Sequence, residues 1–183
     1  QNLKIQSNDI IYNKKLEKIT SQKDTEINIS DTHKIFGDNI IFLRSELIIK
    51  SDKITIIKDN FDNEIKLYGF NYLIKEKLLK TKKMELTDYQ ANIYKSNNAI
   101  IDLSNERIAA KDIEIYFAEG ELGENARLKG SSFLSENDIS IIKNGIFTPC
   151  KIREKCPPWS LKSEEISHNK KKKSINYKNS WLQ

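Results

Sequence analysis

Apolar and polar residues alternate with a period of two along most of this chain. Asp112-Ile113-Glu114-Ile115-Tyr116-Phe117 puts Ile113, Ile115 and Phe117 on one face of an extended segment and Asp112, Glu114 and Tyr116 on the other. Residues 26–30, 53–56 and 64–68 repeat the pattern. Polar clusters at residues 13–15, 59–63, 96–98, 104–106 and 135–138 punctuate it, and each is a predicted turn. Residues 74–86 carry Ile74, Leu78 and Leu79 at helical spacing but lack an N-cap, so they are predicted as two strands around a turn at Lys75-Glu76-Lys77. Many short strands with no long helix between them predict an all-β, antiparallel sandwich or jelly roll built from successive hairpins.

A loose echo runs through the pattern. Residues 8–12, 38–42, 70–73 and 91–94 share an Asn followed by apolar and aromatic positions. Their spacing is too irregular to predict a strict solenoid repeat, and a series of stacked hairpins fits better.

Composition narrows the picture. A chain of 183 residues is long enough for one core without a metal or a disulfide to hold it. No apolar run approaches the length of a membrane helix and no signal-peptide pattern opens the chain; its first residue, Gln1, suggests a processed piece. The chain holds 29 Ile and no Val, and 27 Lys against 4 Arg. Ile, Lys and Asn share A/T-rich codons, so the basic pI of about 9.0 is weak support for a nucleic-acid partner. The charge is uneven: residues 143–183 carry +7 and the rest −2.

No phosphate-binding loop, dinucleotide fingerprint, nucleophile elbow or paired-histidine metal motif occurs, so the chain is expected to be no enzyme and to need no cofactor or metal. His33 and His168 each read as a solvated strand-end residue. Cys150 and Cys156 are too far apart for a thioredoxin-type pair and supply only two metal ligands; buried thiols, a local disulfide and a disulfide to a part outside this sequence all remain open. Lys170-Lys171-Lys172-Lys173 reads as a solvated turn, with a phosphate-facing surface as the functional alternative.

The segment around the cysteines carries a resemblance. Asn144-Gly145-Ile146-Phe147-Thr148-Pro149-Cys150, then Cys156-Pro157-Pro158-Trp159 and Glu165-Ile166-Ser167-His168-Asn169, is similar to the end of the periplasmic domain of the lipopolysaccharide-assembly outer-membrane protein (LptD, or organic-solvent-tolerance) family. Tyr177, Asn179 and Trp181 sit in matching places, whereas Asn169 departs from the family's Asp after His168. The resemblance covers about the last 40 residues; earlier strands match only in pattern, as in residues 7–12.

The resemblance implies an open, V-shaped β-jelly roll (a β-taco). Residues 1–148 would form the lipid conduit, and residues 149–183 the end of the roll and a Cys-containing junction to a C-terminal β-barrel lying outside this sequence. Such a domain sits on the periplasmic side of the outer membrane and guides the acyl chains of lipopolysaccharide through an apolar groove. Its partners would be lipopolysaccharide, a periplasmic carrier protein docked by β-strand addition, its own barrel and that barrel's plug lipoprotein, with no nucleic acid. Groove candidates are Ile54, Ile56, Ile101, Leu103, Ile113, Ile115 and Phe117; Leu3, Ile5, Ile10 and Tyr12 are the docking-edge candidates; Cys150 and Cys156 are the disulfide candidates. The alternatives are another jelly-roll component of the same bridge, carrier or adaptor, and a nucleic-acid-binding β domain using the basic end.

Overall fold

A computed structural model describes residues 3–29, 32–118, 126–149, 159–169, 171–172 and 174–183. Among them there is no helix. Six short strands come first: β1 (Lys4–Gln6), β2 (Ile10–Asn13), β3 (Lys18–Ser21), β4 (Thr25–Asn28), β5 (His33–Gly37) and β6 (Ile40–Leu43). Longer ones follow: β7 (Ile48–Asp59), β8 (Glu64–Leu73), β9 (Leu78–Thr87), β10 (Ile93–Asp102) and β11 (Arg107–Tyr116). The last four are β12 (Arg127–Glu136), β13 (Ile139–Thr148), β14 (Leu161–Asn169) and β15 (Ser174–Leu182). The turn expected at residues 75–77 lies between β8 and β9.

All 15 strands belong to one antiparallel sheet that does not close. From β7 to β15 each strand pairs with the next in sequence. At β7 the sheet forks. Ile48–Lys50 pair with β6, which leads to β3 and β2, while Thr55–Asp59 pair with β5, which leads to β4 and β1. The sheet therefore ends in β15 on one side and in two separate edge strands, β1 and β2, on the other.

The fork marks a fold line that crosses every later strand, and the burial pattern shows why. In β8 the inward residues are Ile65 and Leu67, then Phe70 and Tyr72; in β10 they are Tyr94 and Ser96, then Ala99 and Ile101. Alternation holds within each half-strand, but two consecutive outward residues separate the halves. That extra residue is a β-bulge, which bends the strand and restores the inward face beyond the bend. Register shifts fall at these points in β7 and β10. Several bulges place a residue at positive φ: Gly69 (75°), Asn98 (48°), Asp112 (51°), Asn144 (49°) and Asn179 (50°). Gly and the short Asn and Asp side chains tolerate that region best. The predicted turn at residues 96–98 is thus a bend inside β10.

Folding along this line brings the two halves of the sheet face to face. Tyr94, from one half of β10, meets Phe133, from the other half of β12, with ring centroids 6.1 Å apart. Ile27, Ile35, Leu67, Leu79 and Met84 are fully buried between the halves. A side chain of that size contributes roughly 1.5–3 kcal/mol when buried.

The hairpins form a regular repeat after all. On one rim the N–H of Arg44 donates to the carbonyl of Glu17 (3.0 Å), that of Ile74 to Leu47 (3.0 Å) and that of Leu103 to Lys77 (3.2 Å). Glu17, Leu47, Lys77 and Glu106 all adopt positive φ, at spacings of 30, 30 and 29 residues. On the other rim, loops are closed by N–H to carbonyl bonds from Ile29 to His33, Asp59 to Asn63, Asp88 to Asn92 and Phe117 to Ala126. The irregular spacing of the echo arose because residues 91–94 lie at the opposite rim from the other three members; the true fourth member is residues 99–102, just before the Leu103 turn.

Candidate functional site

Two of the loops on the second rim are copies of one design. In Asp59-Asn60-Phe61-Asp62-Asn63, the Asp59 carboxylate accepts from the N–H groups of Phe61 (2.8 Å) and Asn63 (3.0 Å) and from Asn63 Nδ2 (2.7 Å). In Asp88-Tyr89-Gln90-Ala91-Asn92, Asp88 accepts from Gln90 N–H (3.0 Å), Asn92 N–H (2.9 Å) and Asn92 Nδ2 (3.2 Å). Each asparagine passes the bond on: Asn63 Oδ1 accepts from Tyr89 N–H and Asn92 Oδ1 from Ala118 N–H. The rim is a chain of linked loops, which fixes its height along the sheet.

Opposite it stands the first rim, and between the two lies a hollow of about 200 Å³. Ile65, Leu86, Tyr94, Ile101, Ile108 and Phe133 form its apolar depth. Polar groups frame the entrance: His33, Asp59 and Asp88 from one side, Asp102, Glu106 and Asn137 from the other. The arrangement is an apolar slot with a polar lip. Farther along, toward β15, the halves are nearly in contact; only about 10 Å³ remains among residues including Ile115, Phe117, Ile142 and Ile166.

His33 is half-buried at this lip rather than solvated, with Thr32 Oγ1 2.8 Å from its Nδ1. Burial holds its pKa below the ordinary 6.5, opposed by the charges of Asp59 and Glu106. The unfolded chain therefore takes up the proton first. Stability linked to neutral His33 is full above the unfolded value and is lost as pH falls through it toward the lower folded value. The midpoint of thermal unfolding should drop between about pH 7 and about pH 5, and His33→Gln should flatten that slope. An unchanged slope in the variant would assign the acid sensitivity to other groups.

Five of the seven groove candidates face inward, in three places. Ile101 and Leu103 line the hollow, Ile115 and Phe117 line the tight seam, and Ile113 is buried in the core. Ile54 and Ile56 require correction. Ile54 is 52% exposed and both lie on the outer face, while Thr55 and Ile57 point inward. The bulge between Ser51 and Ile54 reverses the alternation there. Thr55 is accommodated because it faces Gly37, where a Cβ would lie 2.9 Å from Thr55 Oγ1.

The docking-edge candidates divide between the two edges. Leu3 and Ile5 pack against the core beside β4, and Ile10 and Tyr12 are about half exposed on β2. Cys150 and Cys156 lie outside the described residues. His168 lines the tight seam. Sequence reasoning missed the lip itself, because Asp59 and Glu106 read as ordinary turn residues and Asp88 fell in no predicted turn; the Asp-x-x-x-Asn spacing shared by residues 59–63 and 88–92 was the available signal.

The outer face is polar and laced with ion pairs. Glu114 accepts from Lys129 Nζ (2.5 Å) and from Tyr116 OH (2.7 Å), and the Lys129 bond, followed by the Tyr116 bond, lowers its pKa. Among the described residues there is no cluster of His, Cys, Asp and Glu able to hold a metal ion. No protein-family model matches the chain, and no curated protein matches it.

Proposed function

We propose that this chain is a periplasmic lipid-conduit domain of the outer-membrane lipopolysaccharide translocon. In this reading, acyl chains enter the slot between the rims and pass along the inner faces of the folded sheet while the polar head stays outside the lip. The observation that carries the reading is the apolar hollow beneath a polar frame, set in a sheet whose two halves, among the described residues, are joined only along the fold line. Burial of acyl chains against Ile101, Leu103 and Phe133 would supply the binding energy, roughly 25 cal/mol per Å² of apolar surface. No group in the chain need react; the work of transport would be supplied elsewhere.

The edges support the same reading. Among the described residues β1 and β2 are edge strands at one end of the sheet and β15 at the other, which suits strand addition from a carrier before the domain and from a barrel after it. The tightness of the seam near Ile115 means that the halves must part for lipid to travel its full length.

Photo-crosslinking tests this. A benzoylphenylalanine probe at Leu103 should label with lipopolysaccharide, and the same probe at Glu114, on the outer face, should not. Equal labelling at both sites, or none at Leu103, would remove the conduit reading.

A further inference from the structure

The outer face carries a second and larger concavity, of about 830 Å³, behind the fold line and away from the slot. One wall is a single cross-strand row, Thr20, Ile41, Lys50, Asn71 and Lys80, each opposite the next in register. The floor is made by the bulges, with Asp52, Tyr68, Lys82 and Asn98 along it.

The hydroxyls of Ser51 and Thr81 are spent on the carbonyls of Asp38 and Gly69, but its lysines and amides are not. Lys50, Lys80 and Lys82 make no ion pair among the described residues, although elsewhere on the outer face Lys95 pairs with Glu85, Lys129 with Glu114 and Lys143 with Glu165. The side-chain amides of Asn39, Asn71 and Asn98, which also line the concavity, have no hydrogen-bond partner among the described residues. A single lining carboxylate, Asp52, opposes three ammonium groups. Two further ammonium groups stand over the Tyr68 ring, Lys83 Nζ 4.9 Å and Lys66 Nζ 5.6 Å from its centroid.

We propose that this concavity binds a phosphorylated sugar. Lys50 and Lys80 project from strands two apart, so their backbones stand about 10 Å from each other with Asn71 between them. That separation fits a hexose ring flanked by anionic groups. Ammonium groups at the ends take phosphate, and amides, each both donor and acceptor, suit ring hydroxyls. A concave wall concentrates the field of the lysines beyond what any one of them supplies on a flat surface. Bare phosphate would leave the amides without partners. A single-stranded nucleic acid would need a row of stacking aromatics, whereas of the two lining aromatics Phe70 is buried at 3% exposure, which leaves Tyr68 alone to stack. The site lies on the opposite side of the sheet from the slot and does not depend on the conduit reading.

The test uses the whole 183-residue chain. Deacylated lipopolysaccharide, a lipid-free phosphorylated oligosaccharide, is titrated by calorimetry beside glucosamine 6-phosphate, inorganic phosphate and a single-stranded oligonucleotide. The expected result is saturable, salt-sensitive binding of one or both phosphorylated sugars, weakened about tenfold by Lys80→Gln with Lys82→Gln and unchanged by Lys129→Gln. Preference for the oligosaccharide over glucosamine 6-phosphate would identify a glycan chain as the source, and equal binding a free sugar phosphate. The proposal is overturned by absence of saturable binding, by equally tight binding of inorganic phosphate or the oligonucleotide, or by an equal loss in Lys129→Gln. Lys80 and Lys82 are exposed, so circular dichroism should show both variants folded.

Discussion

Gly130→Ala should be among the most destabilising single-methyl additions in the molecule. A Cβ at Gly130 would lie 2.2 Å from Ile142 Cγ2, 3.0 Å from the carbonyl oxygen of Lys143 and 3.3 Å from Ile113 Cγ2. The carbonyl is backbone in the neighbouring strand, and Ile142 and Ile113 are themselves buried at 1% exposure each, so neither side can yield freely. Overpacking of this kind costs about 1–3 kcal/mol, and the backbone contact places this site at the upper end. The urea midpoint of the variant measures it. Gly130→Ala combined with Ile142→Ala removes the nearest clashing carbon, so the pair should be more stable than the sum of the two single losses predicts. Simple additivity would show that the fold line has room the geometry denies it.

Asp88→Ala should cause a comparable loss by a different route. Asp88 is 6% exposed, and besides its loop it accepts from Tyr94 OH at 3.1 Å. Alanine would strand the N–H and amide of Asn92, itself 3% exposed, and remove one partner of the buried Tyr94 hydroxyl. Leaving buried donors unmatched costs about 1–3 kcal/mol per group, so a total of about 2–4 kcal/mol is expected. Asp59→Ala is the internal control: it breaks the equivalent loop, but Asp59 is only half-buried and water can replace part of what is lost. Chemical denaturation should rank Asp88→Ala well below Asp59→Ala in stability. Equal losses would mean that burial does not set the strength of these loops.

Much of the fold was legible in the chain, and the failures have one physical source. Period-two alternation finds strands correctly and groups the residues that share a face within a half-strand; Ile113 and Ile115 are buried as the pattern implies. What it does not carry is the bulge. Two adjacent polar residues, as at Asn97-Asn98 or Lys82-Lys83, look the same whether the chain turns back or bends and continues. Ser96-Asn97-Asn98 therefore reads as a turn, and residue type places Ile54 and Ile56 inward although Thr55 occupies the inner face. The candidate site was less legible still. His33, Asp59 and Glu106 come together only because loops and turns from different hairpins meet across the slot, and the unpaired state of Lys50, Lys80 and Lys82 depends on which carboxylates the register places beside them.

The linked loops and turns along the two rims have a consequence for how the molecule can vary. Each unit of about 30 residues supplies two strands, one loop and one turn, and bonds mainly to the unit on either side, as in stacked-repeat architectures. Stability is then a sum of local terms with no single keystone. Opening should begin at the terminal strands and advance inward one hairpin at a time, and whole units can in principle be gained or lost without altering the cross-section of the slot, so its length and its width are separately adjustable.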